Sequence, residues 1–235
     1  MCTVCLSRRG LFAGMGALAA TASLGASLGA GIAAAQPVRS ADSAEAAFNR
    51  LIEGNARYVA GQMKERDFSA GRAARTQGQK PFAAILGCAD SRVAPELAFD
   101  QEPGELFVVR VAGNFMTPDG LGSLEYGAAV LGTKVIVVLG HTSCGAVNAT
   151  VEALQKGNTL PGHIADLVRA MKPGIEATVK AGGADLAQRA MIANVQDNVR
   201  RLQTATPILS DMVAKGQLKV AGAYYDLPTG KVIPV

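Results

Sequence analysis

Two short segments of the chain carry side chains that could bind one metal ion together. Cys88 and Asp90 form a C-x-D pair, and His141 and Cys144 form an H-x-x-C pair. Thiolate, imidazole and carboxylate groups are ligands of Zn²⁺ in proteins, usually four in a tetrahedron. Cys88, His141 and Cys144 would supply three ligands. Asp90 would be the fourth, or would stand aside and leave that position to water.

Arg92 follows Asp90 by two residues and bears on that choice. A guanidinium can hold a carboxylate in a bidentate pair, which would keep Asp90 away from the metal. Water at the open position of Zn²⁺ ionises near neutral pH and becomes a nucleophile. Asp90 could then accept a hydrogen bond from the hydroxide and orient it. An ordinary surface ion pair between the two residues is the alternative.

Other arrangements of these residues remain open. Cys88 and Cys144 could form a disulfide, or could be inert buried thiols. His163, the second of two histidines in the chain, could complete a closed Cys2His2 structural zinc site. Its position before a predicted helix favours a polar cap or surface residue instead.

The pattern of apolar residues predicts an α/β fold that brings the two segments together. Continuous apolar runs predict buried strands at residues 82–86, 106–111 and 135–139, with another strand within 217–225. Helices are predicted at residues 43–60, 121–131, 146–155, 164–180 and 184–205, and a polar connection at 61–80. Strands alternating with helices indicate a mainly parallel central sheet of four to five strands flanked by helices. Such sheets bind ligands at the carboxyl ends of their strands, where both segments lie.

The first 35 residues predict an export signal. The sequence SRRGLF at residues 7–12 contains a twin-arginine pair, and residues 10–38 carry no charge. Three alanines precede Gln36 and supply an A-x-A cleavage site. We expect export by the twin-arginine route to a periplasmic or secreted location. An uncleaved anchor is the alternative, but the stretch is mostly Ala and Gly, so we expect no stable membrane span after cleavage.

The predicted domain organisation is therefore a signal over residues 1–35 and one domain over 36–235, with an N-terminal helical arm at about 43–60. Removing the signal takes away Arg8 and Arg9, so the net charge falls from +4 to +2. The remaining basic residues are scattered and the chain has no tryptophan, which argues against a nucleic-acid partner. At 49% hydrophobic residues, the chain is too apolar for disorder.

The signal also contains two of the four cysteines. Cys2 and Cys5 form a C-x-x-C pair there, which we interpret as accidental. Only Cys88 and Cys144 remain after residue 35, with no C-x-x-C between them. A thiol oxidoreductase is therefore the least favoured class.

Two segments, CADSRV at residues 88–93 and HTSCG at residues 141–145, together resemble the paired signatures of β-class carbonic anhydrases. EPGELFVVR at residues 102–110 and LEYGA at residues 124–128 are similar to that family as well. The resemblance extends over residues 82–151 and, more weakly, to the C-terminus. It implies a β-carbonic-anhydrase-like α/β fold.

The resemblance implies roles for the metal-site residues. Cys88, His141 and Cys144 match the residues that bind zinc, one ion per chain. Asp90 and Arg92 match a dyad that gates and orients the zinc-bound hydroxide. The implied reaction is the reversible hydration of carbon dioxide to bicarbonate and a proton.

The resemblance also implies a substrate pocket at a dimer interface, and hence a homodimer or a higher homo-oligomer. Gln79 matches a glutamine that hydrogen-bonds substrate, and Phe107 and Tyr126 match aromatic residues that line the pocket. Two rival functions remain open. Relatives on this fold hydrolyse CS₂ or COS, which are linear and apolar like CO₂, and a non-enzymatic zinc protein would have Asp90 fixed on the metal.

Overall fold

The computed structural model describes residues 43–235, and a five-stranded sheet lies at the centre of these residues. The strands are β1 (Ala83–Gly87), β2 (Leu106–Arg110), β3 (Val135–His141), β4 (Lys219–Tyr225) and β5 (Val232–Pro234). Their order is β2-β1-β3-β4-β5, and only β5 runs antiparallel to its neighbour. The prediction of a mainly parallel sheet of four to five strands is confirmed. The predicted signal lies outside the described residues.

Helices cover both faces of the sheet. Within residues 43–235 they are α1 (Ala44–Val59), α2 (Arg72–Arg75), α3 (Pro95–Ala98), α4 (Pro118–Glu125), α5 (Gly145–Lys156), α6 (Ile164–Ala181), α7 (Leu186–Gln203) and α8 (Ile208–Ala214). The predicted helix at 121–131 begins earlier, because Thr117 caps α4 through the Gly120 N–H and Pro118 occupies its first turn. A π-helical turn at Tyr126–Val130 continues it. None of the helices described combines the length and apolar character that crossing a membrane requires.

The two central parallel strands, β1 and β3, are buried on both faces, which explains their continuous apolar runs. Successive side chains point to opposite faces of a strand. The side chains that pack with α5, α6 and α7 include Ala84, Leu86, Ile136 and Val138. Those that pack on the other face, against α1 and α3, include Ala83, Ile85, Val135 and Val137.

Helix α1 is fixed to its face of the sheet partly by a buried asparagine. The Asn55 side chain donates to the carbonyls of Ala98 and Gly230 and accepts from the Val232 N–H, at 2.8–2.9 Å. Gly54 packs so closely that an added Cβ would lie 1.8 Å from the Phe99 carbonyl oxygen. The helix therefore contacts the chain after α3 with no room for a side chain at residue 54.

The strand register sets the position of the two chemical segments. Gly87, the last residue of β1, lies opposite Leu139 of β3 and Arg110 of β2. Cys88 follows Gly87 directly, and His141 is the last residue of β3. The carboxyl ends of these strands therefore meet at one edge of the sheet.

Candidate active site

Three metal-binding side chains converge at this edge. The ligand atoms of Cys88, His141 and Cys144 lie within 4.8 Å of one another, and all three side chains are buried. Strand ends supply Cys88 and His141, while Cys144 is the N-cap residue of α5. The fold therefore brings the three residues together, as the sequence predicted, although each comes from a different element.

The distance between the two sulfurs fits a shared metal ion. The Sγ atoms of Cys88 and Cys144 are 4.0 Å apart and both thiols are free. Two thiolates bound to one tetrahedral Zn²⁺ at about 2.3 Å would be roughly 3.8 Å apart. A disulfide needs about 2.05 Å. The pair is therefore not in the disulfide that the sequence left open.

The imidazole of His141 presents an unshared nitrogen to the cluster. Its Nδ1 lies 2.9 Å from the Thr142 carbonyl oxygen, which can only accept a hydrogen bond. The proton therefore belongs on Nδ1, and Nε2 has its lone pair available. Nε2 is buried and has no hydrogen-bond partner within residues 43–235. A metal ion held by the three residues would satisfy this atom, so the donor set fits zinc.

Cys88 is stabilised as a thiolate, the form that binds metals. The hydrogen bond with Cys144 lowers the pKa of Cys88 to about 4 against the opposing effect of burial, and the neighbouring His141 and the Gly113 N–H act in the same direction. Gly113 N lies 3.2 Å from the Cys88 sulfur. The same contact with Cys88, together with burial, raises the pKa of Cys144. The two thiols thus share negative charge unequally, with Cys88 ionising first.

Asp90 lies beside the cluster but is held by Arg92. Arg92 Nε lies 2.9 Å from Asp90 Oδ1, Arg92 Nη2 lies 2.7 Å from Oδ2, and the Arg92 backbone N–H also donates to Oδ1. The hydrogen bond from Arg92 holds the pKa of Asp90 well below its usual range, so the carboxylate is charged at neutral pH. Its Oδ2 is 3.8 Å from His141 Nε2. Asp90 is therefore adjacent to the three donors without being one of them.

Arg110 fixes the backbone of the first segment, a role that the sequence did not reveal. Its guanidinium donates to the carbonyls of Cys88, Asp90 and Val93 at 2.7–3.0 Å. Two sequence signals were present, a charged residue at the end of an apolar strand and its place in the family-like segment at 102–110, but neither indicated this role. Arg92 also reaches the second segment, with Nη2 3.4 Å from the Ser143 carbonyl oxygen.

A cavity of about 340 Å³ opens beside Cys144, between the beginnings of α5 and α7. Its wall combines polar residues such as Asn148 and Gln188 with apolar Val147 and Met191. Gln79, Phe107 and Tyr126 do not line this cavity in the described chain.

The three residues expected to bind substrate lie elsewhere in a single chain. Gln79 is exposed and precedes the amino end of β1, whereas Cys88 follows its carboxyl end. Phe107 is half-buried on β2, with its ring against Gly127, and Tyr126 is 48% exposed. One chain therefore brings the metal-site residues together but does not place Gln79 with them.

His163 does not contribute to the metal cluster. Its side chain is fully exposed before α6, and its Nδ1 lies 2.8 Å from Asp166 Oδ2. The closed Cys2His2 alternative is therefore wrong, and the surface position that the sequence favoured is confirmed.

Known proteins resemble this chain over most of its length. The sequence model of the family described as carbonic anhydrase matches residues 83–232. A carbonic anhydrase of Mycolicibacterium smegmatis is 42% identical over 188 residues, which are 80% of this chain and 91% of that protein. Carbonic anhydrase 2 of Mycobacterium tuberculosis is 40% identical over 189 residues, with the same two shares.

A solved structure agrees with these sequence matches. The β-carbonic anhydrase of Coccomyxa, in complex with acetazolamide, has a TM-score of 0.63 and 29% identity, covering 71% of this chain and 77% of that one. Family match, relatives and fold point the same way: the chain belongs to the β-carbonic anhydrases, lyases that hydrate carbon dioxide.

Proposed function

We propose that this chain binds one Zn²⁺ through Cys88, His141 and Cys144 and hydrates carbon dioxide reversibly, with Asp90 and Arg92 keeping the fourth ligand position open to water. The observation that carries the proposal is the bidentate contact between Arg92 and Asp90, at 2.9 and 2.7 Å. With both oxygens bound by Arg92, the nearest carboxylate would be kept off the metal, as an active rather than a closed site requires.

The protein groups around that position have separate tasks. Zn²⁺, when bound, supplies Lewis-acid activation of water near neutral pH. Asp90 accepts a hydrogen bond from the attacking water molecule and aims its oxygen at the substrate carbon. Arg92 keeps Asp90 ionised and fixed in direction. The product proton passes to buffer in the solvent.

A second copy of the chain completes the substrate pocket in this proposal. β2 is an edge strand whose four apolar residues, Leu106 to Val109, are only half-buried. Tyr126 and Val130 are 48% and 65% exposed on the helical turn that follows α4. An apolar strand edge beside exposed apolar side chains suits a homodimer. The second copy would supply Gln79, Phe107 and Tyr126.

Export is part of the proposal. The twin-arginine signal at residues 1–35 would send the domain to the periplasm or outside the cell. That route carries folded proteins, so zinc could be bound before export. Cys88 and Cys144 would then be occupied on reaching an oxidising compartment, where free thiols 4.0 Å apart are at risk of oxidation.

Assays of CO₂ and CS₂ on one zinc-loaded preparation test the substrate. We expect rapid CO₂ hydration, which is lost after zinc is removed by a chelator, and no release of H₂S from CS₂. CS₂ hydrolysis without CO₂ hydration would contradict the proposal and favour the rival substrate. If neither gas is turned over although one zinc is bound per chain, a structural zinc site would be favoured.

A further inference from the structure

Two buried asparagines of α7 contact the loop that follows β2. Asn194 and Asn198 are each 1% exposed. Asn194 Nδ2 donates to the Gly113 carbonyl at 2.8 Å, and Asn198 Oδ1 accepts from the Met116 N–H at 2.7 Å. Asn198 Nδ2 donates to the Asn194 carbonyl at 2.8 Å and lies 3.3 Å from its Oδ1. The two side chains therefore fix both ends of the segment from residue 113 to residue 116.

Gly113 connects this segment to the metal cluster. Its carbonyl accepts from Asn194, while its own N–H points at Cys88 Sγ, 3.2 Å away. Its φ of +91° is a left-handed conformation, and an added Cβ would lie 2.4 Å from Met171 Sδ. Glycine therefore suits residue 113, because it adopts this φ without strain and leaves room for Met171.

We propose that Asn194 and Asn198 are positioning residues for the metal centre, which hold Gly113 so that its N–H donates a hydrogen bond to the Cys88 sulfur. This inference rests on the proposed function in taking Cys88 as a zinc ligand. The hydrogen bond withdraws charge from the thiolate and fixes its direction, and loss of such outer-shell partners typically costs about 10–100-fold in metal affinity.

Asn55 provides a matched control for a purely structural role. It is also a buried asparagine in a helix, 5% exposed, and its side chain makes three hydrogen bonds to backbone groups. Its partners, Ala98, Gly230 and Val232, belong to the face of the sheet covered by α1, and none is a metal-site residue. Truncating either asparagine removes comparable packing and hydrogen bonds, but only Asn194 is linked to Cys88.

The test compares Asn194→Ala with Asn55→Ala in the full-length protein. Zinc affinity is measured by chelator competition, and the thiolate-to-metal charge-transfer band is recorded after Co²⁺ substitution. We expect Asn194→Ala to weaken zinc binding about 10–100-fold. Its band should move to longer wavelength, because the sulfur electrons lose the N–H contact. Asn55→Ala should lower the urea midpoint but leave affinity and band as in the wild type.

Wild-type affinity and band in Asn194→Ala would overturn the inference, as would an equal loss of affinity in Asn55→Ala. If Asn194→Ala does not fold, Asn194→Ser takes its place, since a serine hydroxyl is too short to reach the Gly113 carbonyl. A wild-type protein that binds no zinc would instead contradict the proposed function itself. Measuring the wild type first therefore separates the two failures.

Discussion

Replacing Cys144 with serine is expected to remove both zinc and activity. The substitution takes away one of three buried donors and leaves a serine hydroxyl, which stays protonated at neutral pH. The loss of zinc affinity should exceed the roughly 10–100-fold that follows removal of a hydrogen-bond partner of a ligand, because here a ligand itself is removed. Zinc content per chain after gel filtration, with CO₂ hydration on the same sample, measures the effect.

Ser143→Ala is the matched control for that variant. Residue 143 is adjacent and exposed, and its contact with Arg92 is made by the carbonyl rather than the hydroxyl. It should keep zinc and activity. One zinc per chain in Cys144→Ser would show that Cys144 is not a ligand.

Asp90→Asn and Arg92→Ala are expected to keep zinc and lose most turnover. Neither residue is among the three clustered donors, so the metal should remain. In the proposed mechanism, Asp90→Asn removes the charged acceptor that orients the nucleophile, and Arg92→Ala frees Asp90 to reach the open position. Removing a side chain that acts in proton transfer usually lowers the reaction rate about 100-fold or more. Zinc content and the stopped-flow rate of CO₂ hydration, measured together, separate gating from metal binding.

An exposed ion pair elsewhere provides the control for Arg92→Ala. Arg169 pairs with Asp166 on α6, away from the metal cluster. Arg169→Ala should leave turnover unchanged, since exposed pairs contribute little. If Asp90→Asn and Arg92→Ala lose zinc as completely as Cys144→Ser, the assignment of gate and ligand is wrong.

The strands that position the site could be predicted because both of their faces are buried. β1 and β3 have no solvent face, so their sequences are continuous apolar runs. β5 has only three residues, two of them exposed, and carries no such pattern. α2, which lies inside the predicted connection at 61–80, was missed for a similar reason, as were α3 and α8. Helices of four, four and seven residues are too short to show a helical period.

The metal-binding residues of the site could be predicted from the sequence more fully than the residues that hold them in position. Cys88, His141 and Cys144 are recognisable by residue type and spacing. Asn194 fits the polar pattern of an amphipathic helix equally well whether it faces solvent or the core. Only the fold shows that it is buried against Gly113. Gln79 was assigned by resemblance, and one chain does not bring it to Cys88.

The most direct test of the central claim is stopped-flow CO₂ hydration by zinc-loaded protein at about pH 7 and about pH 8.5. Because Arg92 binds both oxygens of Asp90 and keeps the carboxylate ionised, we predict activity at both values. Activity only at the higher pH would contradict the open site, since Asp90 would then cap the metal at neutral pH. No CO₂ hydration at either pH, with one zinc bound per chain, would contradict the proposed reaction.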